Sequence, residues 1–215
     1  MISDNLKRVR QRVQALDTNH QVTLIAVSKT KPASDLQQAI DCGQKHFGEN
    51  YLQEALDKIQ ILSGQDLVWH FIGPIQSNKT SKIAENFDWV HSVDRLKIAK
   101  RLNEQRPNSL EKLQILLQVN IDNEPSKSGV LVDEVDDLVT EIQAMEHLAL
   151  RGFMCIPKSG DSEDSFQAMA KLLARYPELD TLSMGMSADL ESAIKHGATF
   201  VRIGTDIFGR RDYPA

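Results

Sequence analysis

Three groups of residues in this chain could do chemistry together. Lys29 sits in the run Val27-Ser28-Lys29-Thr30-Lys31-Pro32. Side chains alternate along a strand, so Ile25, Val27 and Lys29 share one face. A lysine at the end of such a face reads in two ways. It is the solvated start of a loop or, if Ile25 and Val27 fill a core, a desolvated amine. Desolvation favours the neutral amine, which attacks carbonyls and forms Schiff bases. Lys31, just before Pro32, reads as the solvated lysine of the two. The second group is Ser187, which leads straight into a helix, with Gly204-Thr205, which closes an apolar run. Singly, these are an N-cap and a turn. Together, a close-approaching backbone, hydroxyls and a helix N-terminus make a phosphate cradle. The third is Arg202, which shares a face with Phe200 and Gly204 and so points inward. A buried guanidinium needs a partner, here either a structural carboxylate or a ligand. His70, on one face with Ile72, reads on its own as a hydrogen-bonded core histidine. Glu49 and Asp122 form no diagnostic pair. HExxH, GxSxG, Walker A and GxGxxG patterns do not occur, so zincin, hydrolase, P-loop and dinucleotide readings have no support.

The elements that must position these residues alternate from end to end. Residues 4–17 repeat apolar positions at helical spacing. After them, short β-branched runs at 22–27, 46–50, 67–72, 89–93, 113–121, 148–156, 182–186 and 200–203 read as eight strands. Helices at 32–40, 51–62, 79–86, 95–105, 132–145, 163–175 and 189–196 separate them, and a short turn follows at 207–209. Strict βα alternation implies parallel strands with crossover helices. Eight such units close naturally into a (β/α)₈ TIM barrel, here with an extra N-terminal helix. An open doubly wound sheet is the competing architecture. In a barrel, reactive groups gather at the C-terminal ends of the strands, and a phosphate site commonly forms after strands seven and eight. Lys29, Asn50, Ser187, Arg202, Gly204 and Thr205 all fall at such positions.

Composition bounds the remaining classes. The 215 residues carry 25 basic and 30 acidic side chains, a net charge of −5, so general nucleic-acid binding is not expected. Cys42 and Cys155 are far apart and form no CxxC pattern, which suits a reducing cytoplasm and offers neither a disulfide framework nor a cysteine metal site. The N-terminus lacks the apolar core of a secretory signal, and no apolar run approaches the ~20 residues that span a bilayer.

Six ordered motifs carry a resemblance. Val27-Ser-Lys-Thr-Lys-Pro32, Phe47-Gly-Glu-Asn50, Trp69-His-Phe-Ile-Gly73 with Gln76-Ser-Asn-Lys79, Ser126-Lys-Ser-Gly129, Leu182-Ser-Met-Gly-Met-Ser187, and Val201-Arg-Ile-Gly-Thr205 with Ile207-Phe-Gly209 together resemble the YggS/PROSC family of pyridoxal phosphate (PLP) homeostasis proteins. The likeness runs from about residue 22 to 213. It implies a single barrel domain over residues 1–215, similar to the N-terminal domain of alanine racemase. It implies that Lys29 forms a Schiff base with PLP and that Ser187, Gly204 and Thr205 hold the phosphate. Arg202 would face the pyridine nitrogen, and Asn50 and His70 would line the ring pocket. An arginine does not readily give up its proton, so it leaves that nitrogen unprotonated and the cofactor a weak electron sink.

The expected function is cytoplasmic PLP and amino-acid homeostasis: a monomer that binds PLP and passes it to apo-enzymes, without robust catalysis. A racemase is the alternative. Racemisation takes two bases, one per face of the substrate carbon. In the racemases that the family resembles, the second comes from a C-terminal domain. This chain ends at Ala215, roughly ten residues beyond the eighth strand, and on this reading carries no such domain. A barrel binding some other phosphorylated metabolite is the third possibility, and it would form no Schiff base.

Overall fold

The computed structural model describes residues 1–19, 21–158 and 162–210. Helix α1 (Ile2–Leu16) precedes strand β1 (Thr23–Val27). Then come α2 (Ala33–Asp41), β2 (His46–Glu49), α3 (Leu52–Ile61), β3 (Val68–Phe71), α4 (Thr80–Asn86), β4 (Trp89–Val93), α5 (Leu96–Gln105) and β5 (Leu113–Gln118). The chain continues through α6 (Val135–Gln143), β6 (Leu148–Met154), α7 (Ser162–Leu173), β7 (Thr181–Ser183), α8 (Leu190–Lys195), β8 (Phe200–Ile203) and the one-turn helix α9 (Thr205–Phe208).

The eight strands close in chain order, β8 returning to β1, and every neighbouring pair is parallel. The barrel expected from βα alternation is therefore present, with its leading helix, and the open sheet is not. Strand ends differ from the sequence reading in physically explicable ways. The fifth strand stops at Gln118, and Val119 makes a single parallel bridge to Val130 in the loop that follows. The seventh stops at Ser183 because Gly185 takes φ +93, a conformation in which a Cβ would lie 2.4 Å from the Ala193 Cβ. Residues 207–209, read as a turn, belong to α9 and its cap.

The two faces of the sheet differ in chemistry. The outward residues, among them Leu24, Phe47, Phe71, Val90, Ile115, Phe153 and Val201, join the buried helix faces in one large apolar layer. Each fully buried side chain of this kind contributes ~1.5–3 kcal/mol. Inside the barrel the apolar set is small: Ile25, Leu116, Met154 and Phe200, with Trp89 against them. The rest of the interior is polar and includes His70, His91, Ser183 and Arg202, all buried.

α1 lies across the outside of the last strands' loops. Asn5 Nδ2 donates to the Ile207 carbonyl at 3.0 Å, and Arg12 donates to the Ser187 carbonyl at 3.2 Å. This helix ties the start of the chain to the β7 and β8 ends. None of the described helices is long and apolar enough to cross a membrane.

Candidate functional site

A cleft of about 390 Å³ opens where the strands end. Lys29, Asn50, Ser187, Arg202, Gly204 and Thr205 line it together with Val27, Ile72, Ile156 and Met186. Six of the seven residues singled out in the sequence thus converge on one space. Ile156 and Met186, 40% and 42% exposed, give it an apolar rim suited to a flat ring.

Lys29 follows β1 and is half-buried. Its setting comes from its neighbours. Thr30 adopts φ +64, a left-handed turn that its own side chain does not favour. The Thr30 amide donates to Glu54 Oε1 at 2.6 Å, which holds that turn. On the other side the Ser28 carbonyl accepts from Lys58 Nζ at 2.7 Å. Lys58, on α3, also donates to Glu49 Oε1 at 2.7 Å and to Glu54 Oε1 at 2.5 Å. The Ser28 hydroxyl donates to Glu49 Oε1 at 2.6 Å. Lys58 and Glu49 are both buried, so this is an ion pair inside the helix layer, directly behind the strand end. Burial pushes the Glu49 carboxyl up, and the Lys58 ammonium beside it pulls it back. Sequence reasoning left Glu49 without a partner; the partner is a helix residue nine positions on. Lys31, read as solvated, is half-buried at the same mouth and donates to the Arg210 carbonyl at 2.7 Å.

Arg202 enters the cleft from β8. Its Nη1 donates to Ser183 Oγ at 2.7 Å and its Nη2 to the Cys155 carbonyl at 3.0 Å. Among the described residues no carboxylate pairs with it, so its inward charge is not neutralised by a structural ion pair. Burial holds the guanidinium below its usual value. Cys155 itself is no nucleophile: burial pushes its thiol up to about 12.

Gly204 caps α9, and a Cβ there would lie 3.1 Å from the Val27 carbonyl oxygen. The first N–H groups of such a turn have no acceptor within the helix. Across the cleft the Met186 amide donates to Asp189 Oδ1 at 2.6 Å, which folds the Ser187 turn against α8. Asn50, just past β2, has its Oδ1 buried without a hydrogen-bond partner. Its backbone is approached so closely by Gly73 that a Cβ there would lie 2.3 Å from the Asn50 carbonyl oxygen.

His70 is the exception. It is fully buried one layer beneath the cleft, 3.0 Å from His46 Nδ1 and 2.9 Å from His91 Nε2, and it does not line the cleft. Its ring packs parallel to Trp89 and edge-on to Phe200.

The arrangement brings an amine, the Ser187 and Gly204-Thr205 turns and a fixed guanidinium to one apolar-rimmed cleft. Three known proteins resemble this chain at graded distances. The pyridoxal phosphate homeostasis protein of Escherichia coli K12 is 51% identical over 99% of this chain and 97% of its own. PipY of Synechococcus elongatus, solved with PLP bound, is 35% identical and superposes with a TM-score of 0.85 over 97% of this chain and 100% of its own. An alanine racemase of Clostridium difficile 630 is 16% identical and matches with a TM-score of 0.76 over 99% of this chain and 58% of its own, a likeness of fold alone. The family model for the alanine racemase N-terminal domain matches residues 2–212. By that match, and by half-identity over nearly its whole length, the chain belongs to the alanine racemase N-terminal domain family, among the pyridoxal phosphate homeostasis proteins.

Proposed function

We propose that this barrel, as one domain, binds pyridoxal 5′-phosphate reversibly and keeps it available in the cytoplasm rather than using it for turnover. The observation that carries the reading is the meeting of Lys29, Arg202 and the Gly204-Thr205 turn in one cleft. The residues fit the cofactor. The orphaned Asn50 Oδ1 needs a donor that a ligand can supply, and the missing Cβ of Gly204 lets the Gly204-Thr205 turn close against Val27 at the cleft. PLP, when bound, supplies an aldehyde that condenses with amines and a pyridine ring that can draw electrons.

The chain's own residues then have distinct tasks. Lys29 provides the amine. The turn at Ser187 and the start of α9 receive the phosphate, with the Thr205 and Ser187 hydroxyls as donors. Ile156 and Met186 would offer the ring apolar surface at the rim. Arg202 presents N–H groups, and no acceptor, to the pyridine nitrogen, so that nitrogen keeps its lone pair. This favours holding over catalysis. So does the choice of bases: among the described residues lining the mouth, the titratable groups besides Lys29 and Arg202 are Lys31 and Asp206, with no tyrosine, histidine or cysteine. A monomer that hands PLP to apo-enzymes is the simplest form of such a carrier.

The test is trapping. Borohydride treatment in the presence of PLP is expected to leave a covalent adduct on the peptide containing Lys29, and Lys29→Ala is expected to leave none. Trapping that persists elsewhere at equal yield in Lys29→Ala would refute the assignment. Loss of α-deuterium from alanine at enzyme-like rates would refute the carrier reading in favour of a racemase.

A further inference from the structure

A continuous line of hydrogen bonds runs down the barrel's interior from Arg202. Arg202 Nη1 donates to Ser183 Oγ at 2.7 Å, and Ser183 Oγ lies 2.8 Å from His91 Nδ1. His91 Nε2 lies 2.9 Å from His70 Nδ1, and His70 Nε2 lies 3.0 Å from His46 Nδ1. The line crosses β8, β7, β4, β3 and β2. Its far end, His46, is half-buried and lines a second cleft, of about 300 Å³, with Arg10, Gln44 and Lys45. Barrel interiors are ordinarily filled by branched apolar side chains. A polar line here sacrifices packing, and within it Ser183, His91 and His70 each bond on both sides.

Its proton order follows from one end. A guanidinium only donates. Ser183 Oγ therefore accepts from Arg202, and the Ser183 hydroxyl proton needs its own acceptor, which is His91 Nδ1. Burial holds His70 and His91 well below the ordinary histidine range, so each ring is neutral and has one N–H. With His91 Nδ1 accepting, that proton is on Nε2 and donates to His70 Nδ1. The same logic puts the His70 proton on Nε2, donating to His46 Nδ1.

Resting on the PLP reading above, we propose that Ser183 and His91 are positioning residues for Arg202. The ordered line fixes the guanidinium's rotation, aims its remaining N–H groups at the pyridine nitrogen, and makes the cofactor site sensitive to the histidines beneath it. Neither residue touches the cofactor; both act through Arg202.

Histidine ring ¹⁵N NMR on the PLP-free protein at neutral pH tests the order directly. All three rings are expected to show a bare Nδ1 and a protonated Nε2. A protonated Nδ1 on His91 would overturn the proposal. Ser183→Ala is expected to release His91 from a single tautomer and to weaken PLP binding roughly tenfold, the loss of one charge-assisted hydrogen bond. Ser183→Thr is expected to restore both. Unchanged His91 shifts together with unchanged PLP affinity in Ser183→Ala would also overturn it. If the protein takes up no PLP at all, the function proposed above fails, and the ring spectra still decide the proton order.

Discussion

Lys29 and Arg202 face the same cleft but are held in opposite ways. Lys29 is placed through its neighbours: the Ser28 carbonyl and the Thr30 amide are anchored from outside the barrel by Lys58 and Glu54 on α3. Arg202 is placed through its own guanidinium, gripped from inside the barrel by Ser183 and the Cys155 carbonyl. One device anchors the backbone on both sides of a residue; the other grips a side chain directly. On the function proposed above, the difference suits the two tasks. An amine that forms and releases a covalent bond has to move between states, whereas a donor that sets the character of a ring nitrogen has to stay still.

The outer anchor is the easier to break. Lys58→Met strands Glu49 inside the helix layer, and a buried charge without its partner costs about 3–5 kcal/mol. Urea unfolding is expected to show that loss, and to show less of it at lower pH, where Glu49 takes up a proton. Adding Glu49→Leu is expected to recover most of the stability. If Lys58→Met unfolds at the wild-type urea concentration, the anchor is not structural.

The inner line responds to pH. The folded state keeps His70 and His91 neutral, while the unfolded chain protonates them near ~6.5. Stability is therefore fully present above that value and falls as pH drops through it, by about 1.4 kcal/mol per pH unit for each histidine. Glu49, whose carboxyl burial pushes up, acts in the opposite sense. Where Glu49 takes up its proton, the net slope is thus shallower than the histidines alone would give. Urea midpoints measured from pH 7 to pH 5 check this, and a flat profile would mean that the core rings bind protons in the folded protein.

The smallest effect sharpens the contrast most. Glu54→Ala removes the acceptor of the Thr30 amide and is expected to cost about 1 kcal/mol. It is expected to slow covalent capture of PLP by Lys29 while leaving the His91 ring shifts untouched. A variant that moved the His91 shifts as much as it slowed capture would show that the two supports are one.

The barrel and its cleft were legible in the sequence because both depend on short-range pattern. Alternation of β-branched runs with amphipathic helices dictates the closed sheet; strand-end position put Lys29, Asn50, Ser187, Arg202, Gly204 and Thr205 among the candidates, and the family resemblance singled them out. The two supports were not legible because they depend on register between elements. Glu49 meets Lys58 only when α3 lies back on β2 and β1. His70 looked like a core histidine, which it is, but its partners His46 and His91 lie on neighbouring strands. A faint signal was present: each of these strands puts a histidine on the inward face, where branched apolar residues are the rule.

The α1 brace gives the molecule a schedule. Asn5 and the Ile207 carbonyl it holds are 202 residues apart. At ~5–20 residues per second of synthesis, the helix made first waits on the order of 10–40 s for its partner. Throughout that time Lys29 exists without Arg202, without the β8 turn and without a closed barrel. Pairing ends this distant in sequence also carries a large loop-closure cost and is a late event in folding. The cleft is therefore completed by the same step that joins the two ends of the sheet, and a nascent chain presents the lysine long before it presents a site.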